Sequence, residues 1–149
     1  MRKKTYDGAI YITSSNTSDN TIKTSVVNSK FSSNEVMASG GAISLQLSSS
    51  VHCLLLTTIS KSNFEHNKAQ GGGGVVHISL YQKLYRKRYV FNRILTNIEH
   101  SMFISNKALQ DGGGSIYIEG MSRRKNTFDT FIHNSTFILT ILHQGEVLS

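Results

Sequence analysis

ILTNIEHSMFISNKALQDGGGSIYI, residues 94–118, decides the fold, because its pattern returns at 55–78 (LLTTISKSNFEHNKAQGGGGVVHI), at 22–45 (IKTSVVNSKFSSNEVMASGGAISL) and, eroded, at 128–148. With Phe31, Phe64, Phe103 and Phe137 as the origin of each block, the other columns fall into line. Nine residues earlier stand Ile22, Leu55, Ile94 and Phe128; seven earlier, Thr24, Thr57, Thr96 and Thr130. Five earlier come Val26, Ile59, Ile98 and Ile132, and two earlier Ser29, Ser62, Ser101 and Ser135. Three residues after the phenylalanine stand Asn34, Asn67 and Asn106, a series that Thr140 breaks. Glycine pairs at 40–41, 73–74 and 113–114 then open a second alternating run, Ile43/Leu45, Val76/Ile78 and Ile116/Ile118, of which 8–12 (GAIYI) is a partial copy. So many shared columns define an internal repeat, and a repeat governs every later reading.

Alternation of period two, rich in β-branched and aromatic residues, predicts strands, and no stretch keeps helical spacing. Each block holds about three short strands and has no way to bury its apolar face alone, so copies must stack. Equivalent strands then pair in parallel at about 4.8 Å, and parallel crossovers wind right-handed. The expected fold is all-β: a right-handed parallel β-helix of about four rungs, one segment over 1–149. The apolar and Phe columns are expected to form interior ladders. Asn34, Asn67 and Asn106 are expected at one corner, bonded to the Asn above and below and to turn backbone. The glycine pairs mark a corner that needs positive φ or close backbone approach. GGGG at 71–74 lacks the Gly-Lys-Ser/Thr of a phosphate-binding loop and occupies a corner that is glycine-rich in every block.

The blocks differ in one place. Nine residues separate the glycine-opened strand from the next block at 13–21, 46–54 and 119–127, but fifteen do so at 79–93. Insertions in repeat folds collect at one corner, often on the binding face. This longer corner carries Lys83, Arg86, Lys87, Arg88 and Arg93 among Tyr81, Tyr85 and Tyr89, and Arg123, Arg124 and Lys125 follow one rung later. Stacking would gather these eight cations at one corner of a chain whose net charge is +7. They form a candidate patch for acidic glycans or a cell surface, set against a simpler reading as solvated charges that discourage edge aggregation. No nucleic-acid recognition motif accompanies them.

The chain has one domain's length and no apolar run near the ~18 residues of a membrane span. Cys53 is the single cysteine, so no disulfide framework exists; it is expected buried or at a loop edge. The chain enters the repeat without a signal-peptide core and both ends fall mid-pattern, so it is expected to belong to a longer run of rungs that flank it. The sequons Asn16-Thr17-Ser18 and Asn134-Ser135-Thr136 are read as coincidences of an Asn/Ser/Thr-rich composition. No two of the nine acids share a column in adjacent rungs, and the six histidines show no metal-ligand spacing. His77 and His100 are expected to be solvated strand residues. No nucleophile elbow occurs. A non-catalytic chain without cofactor or metal is the expectation.

The paired motifs resemble the repeat of the polymorphic outer-membrane proteins, FxxN followed by GGAI. They stand here as Phe31-Ser32-Ser33-Asn34 with Gly40-Gly41-Ala42-Ile43, Phe64-Glu65-His66-Asn67 with Gly73-Gly74-Val75-Val76, and Phe103-Ile104-Ser105-Asn106 with Gly113-Gly114-Ser115-Ile116. Only the first GGAI is intact, and the last block reads Phe137-Ile138-Leu139-Thr140. The resemblance implies a right-handed β-helix of the pectin-lyase-like kind, exposed on a cell surface or secreted and serving adhesion. A competing expectation is a carbohydrate-binding or carbohydrate-active β-helix that uses the basic corner at 79–93 and 123–125.

Overall fold

The computed structural model describes residues 8–15, 19–48, 52–81, 91–110, 112–121 and 126–138. The described residues contain strands and turns, with no helix. The strands are β1 (Ile10–Ser15), β2 (Thr21–Val27), β3 (Lys30–Ser32), β4 (Glu35–Val36), β5 (Ile43–Ser48), β6 (Leu54–Ser60), β7 (Asn63–Glu65), β8 (Lys68–Ala69), β9 (Val76–Tyr81), β10 (Arg93–Glu99), β11 (Met102–Ile104), β12 (Lys107–Ala108), β13 (Ile116–Met121), β14 (Thr127–His133) and β15 (Thr136–Ile138). They form four parallel sheets, ordered β1-β5-β9-β13, β2-β6-β10-β14, β3-β7-β11-β15 and β4-β8-β12. The chain visits the sheets in the same order on every pass, so each strand pairs with its counterpart one pass away.

Register follows the repeat columns. Thr24 pairs with Thr57, Thr57 with Thr96 and Thr96 with Thr130; Phe31 pairs with Phe64, Phe64 with Phe103 and Phe103 with Phe137. A one-residue slip would turn every interior side chain outward, so burial of the apolar set holds the register. Leu55, Ile59, Phe64, Ile94, Ile98 and Phe103 are fully buried, joined by Ile43, Leu45, Leu47, Ile78 and Leu80 from the first sheet. The Phe rings stack face to face, with centroids 5.2, 4.9 and 4.6 Å apart and interplanar angles of 5°, 11° and 4°. Isolated aromatic pairs favour offset or edge-on geometry. Here the strand spacing imposes the stack.

The asparagines form a hydrogen-bonded ladder. Asn34 Nδ2 donates to Asn67 Oδ1 at 2.8 Å, and Asn67 Nδ2 donates to Asn106 Oδ1 at 3.0 Å. The backbone N–H groups of Asn34 and Asn67 donate to the same oxygens, and the amides of Asn67 and Asn106 also reach the carbonyls of Phe31 and Phe64. A second ladder runs through serine: the N–H of Ser29, Ser62 and Ser101 each donates to the hydroxyl of the next, Ser62, Ser101 and Ser135, at 3.2 Å. These bonds satisfy corner N–H groups that the sheets leave open.

The turns are as periodic as the strands. Asn28, Lys61, His100 and Asn134 share a left-handed conformation with φ of 47–49°, and Ser33, His66 and Ser105 share another at 51–55°. His100 is thus exposed at a turn, correcting its expected place in a strand: the chain must bend sharply there before β11 starts. The glycine pairs divide their work. Gly40, Gly73 and Gly113 have φ of +73°, +64° and +76°, whereas a Cβ on Gly41 or Gly74 would strike the carbonyl oxygen of Gly74 or Gly114 in the next pass. Positive φ and close approach are both needed, each at its own glycine.

Candidate functional site

Side chains alternate in and out along the sheet β1-β5-β9-β13, and its outward positions form columns across the passes. One column reads Tyr11, Ser44, His77, Tyr117, and the next Thr13, Gln46, Ser79, Glu119. A third holds Ser15, Ser48 and Tyr81. Contacts run diagonally between the first two columns. Tyr11 Oη donates to Gln46 Oε1 at 2.9 Å, and two passes later His77 Nε2 lies 3.1 Å from Glu119 Oε1. Tyr117 Oη reaches Glu119 Oε2 at 3.5 Å, and its ring stacks on His77 with centroids 5.7 Å apart.

His77 is therefore no solvated strand residue. It points outward, but its side chain is only 11% exposed, enclosed by Tyr117 and Glu119 from the next pass. One of the two glycines that precede the pair 73–74 has a related cause. A Cβ on Gly72 would overlap the ring of Tyr117, so glycine there makes room for that ring. The His77–Glu119 pair was legible only diagonally. Comparing acids within columns cannot find a partner that stands one pass later and two residues along the strand.

The same diagonal and lateral logic places other ion pairs between passes: Lys30 with Glu65 at 2.8 Å, Lys68 with Glu35 at 3.1 Å, and Arg93 with Asp129 at 2.8 Å. The Lys30 ammonium hydrogen-bonds Glu65 and, with the Asn63 amide, holds its carboxyl below the usual range. Of the proposed basic patch, Arg93 alone lies within the described residues, and its Nε and Nη2 both donate to Asp129 Oδ2. The described part of that patch thus carries an acid beside its cation. Lys83, Arg86, Lys87, Arg88, Arg123, Arg124 and Lys125 lie outside the described residues.

Cys53 is buried, in a corner column where the following passes carry Asn92 and Asn126; its N–H donates to Asn92 Oδ1 at 2.8 Å. The sequon residue Asn134 is exposed at its turn, with Nδ2 3.4 Å from His100 Nε2, and Asn16 lies outside the described residues. Among the described residues, no group of three or more His, Cys, Asp or Glu is placed to hold a metal ion, and no helix is long and apolar enough to cross a membrane. In comparisons with known proteins, no family model, curated protein or solved structure matches this chain.

Proposed function

We propose that this chain is a right-handed parallel β-helix segment that serves a larger surface or secreted protein as a structural and adhesive module, without catalysis. One observation carries the reading: the residues that define the repeat are engaged with their own kind in the next pass. Phe stacks on Phe, Asn bonds Asn and Ser bonds Ser. Such residues build length and stiffness, and no reacting group is recruited from them. Outward positions, by contrast, change from pass to pass, as Tyr11, Ser44, His77 and Tyr117 do. A scaffold that repeats inside and varies outside suits recognition along its length. The resemblance of the paired FxxN and GGAI motifs to the polymorphic outer-membrane protein repeat supports the same role. Further rungs of the same longer chain are its natural neighbours, because parallel edges pair best with more of the repeat.

The test is attachment without turnover. Beads coated with the folded chain should adhere to cell-surface or extracellular-matrix preparations, and urea-unfolded chain on the same beads should not. The same protein should release no sugar from pectate, polygalacturonate or other uronide polymers. Turnover of any of these would refute the non-catalytic reading, and equal adhesion by unfolded chain would refute the adhesive one.

A further inference from the structure

The outward face of β1-β5-β9-β13 has a chemical character of its own. Tyr11 and Tyr81 are 43% and 45% exposed, and both project from this face. They lie two passes and four residues apart, which strand spacing and rise convert to roughly 16 Å. Between them run only short or polar side chains: Ser44, Gln46, His77, Ser79 and, at the margin, Glu119.

Two of these groups stand ready for a partner. Ser44 and Ser79 are each only 6% exposed, yet neither hydroxyl makes a hydrogen bond among the described residues. Each sits low between longer neighbours. Ser44 is flanked in its column by Tyr11 and His77, and Ser79 by Gln46 and Glu119. Their hydroxyls therefore face outward between longer side chains. Gln46 spends its carbonyl oxygen on Tyr11, which turns its amide NH₂ toward other acceptors.

We propose that this face binds a neutral oligosaccharide, lying across β5 and β9 between Tyr11 and Tyr81. Tyrosine rings offer flat apolar surface to the C–H faces of a sugar. Serine hydroxyls, the Gln46 amide and the Glu119 carboxylate supply the alternating donors and acceptors that sugar hydroxyls require. Glu119 disfavours an anionic ligand, and no described Lys or Arg projects from the face to offset it. An extended peptide fits poorly, since β5 and β9 are interior strands whose backbone groups are already paired. This inference names the ligand class of the adhesive reading and rests on it.

The probe is a panel of immobilised neutral oligosaccharides derived from mannan, cellulose, chitin and dextran, read by biolayer interferometry. At least one should retain the wild-type chain. Tyr81→Ala and Ser79→Leu should each weaken that retention about tenfold, through the loss of one ring contact or of one hydroxyl replaced by a bulkier apolar group. Tyr81→Ala removes an exposed ring, so its urea midpoint should match wild type and keeps the test valid if Ser79→Leu folds poorly. Arg93→Ala, on a different sheet, should bind as wild type. Absence of retention by every sugar overturns the proposal, and so does retention that neither Tyr81→Ala nor Ser79→Leu reduces. Cell-surface adhesion that survives Tyr81→Ala together with unchanged sugar binding overturns this site while leaving the adhesive reading intact. Sugar turnover abolished by Tyr81→Ala supports the site and refutes the non-catalytic reading.

Discussion

Replacing Asn67 with alanine tests the ladder at its most loaded rung. Asn67 is fully buried, and its side chain takes part in four hydrogen bonds. Oδ1 accepts from the N–H and Nδ2 of Asn34, while Nδ2 donates to the Phe31 carbonyl and to Asn106 Oδ1. Each bond is worth about 1 kcal/mol net, and a buried group left unpaired costs about 1–3 kcal/mol. The partners do not all suffer equally. Asn34 is half-buried, so its donors regain water, and Asn106 Oδ1 keeps the Asn67 N–H. The expected loss is therefore about 2–4 kcal/mol, a large share of the ~5–15 kcal/mol that holds a typical domain. Urea unfolding followed by far-UV circular dichroism measures it, provided the slopes of variant and wild type agree. Asn67→Asp is the shape-matched control: it keeps an acceptor for Asn34 but turns a carboxylate toward the Phe31 carbonyl and Asn106 Oδ1. It should lose at least as much. Asn34→Ala, which removes the side-chain donation from Asn34 Nδ2 to Asn67 Oδ1, should cost about 1 kcal/mol or less. If Asn67→Ala stays within about 1 kcal/mol of wild type, or if Asn34→Ala costs as much, the ladder does not carry the weight assigned to it.

Three further expectations follow from the same geometry. Phe64→Ala, at a ring stacked on both faces and fully buried, should cost about 3–5 kcal/mol, whereas Phe137→Ala, at a ring 45% exposed, should cost much less in the same urea assay. The hydroxyls of Thr24, Thr57 and Thr96 are buried in the interior without a hydrogen-bond partner among the described residues, so Thr57→Val, nearly identical in shape, should raise stability by about 1 kcal/mol; a lower urea midpoint would contradict this. The Glu65 carboxyl is held below its ordinary range by its hydrogen bond to Lys30. Its contribution is accordingly present above the ordinary glutamate value and lost as pH falls through the lowered folded value. The urea midpoint of wild type should thus fall toward that of Glu65→Gln across that acidic window, and a constant difference would refute the assignment.

Much of the architecture was legible in the residues because stacking equates period with position. Once Phe31, Phe64, Phe103 and Phe137 are aligned, every residue at a fixed offset must lie over its counterpart, as the registers show. The Asn ladder followed from the same step. The serine ladder was equally visible as a column, but its bond, from a backbone N–H to the next hydroxyl, concerns backbone geometry that side-chain identity does not display. The turns at Asn28, Lys61, His100 and Asn134 were hidden for a similar reason. Their left-handed conformation is shared, while their side chains differ: asparagine in the first and last pass, lysine and histidine between.

The outward face shows the opposite case. Interior columns speak because like packs on like, and substitution there is limited by volume. Outward side chains lean across columns, so His77 found Glu119 and Arg93 found Asp129 along diagonals that no alignment column contains.

The residues alone determined that strands repeat, that equivalent strands pair, and which side chains fill the interior, since burying an apolar face at a two-residue period leaves one consistent register. Only the tertiary structure decided that His77 is enclosed, that Gly72 clears space for Tyr117, and that the outward-facing hydroxyls of Ser44 and Ser79 make no hydrogen bond among the described residues. Those outcomes depend on how far each side chain reaches toward the neighbouring pass, a distance that spacing along the chain does not encode.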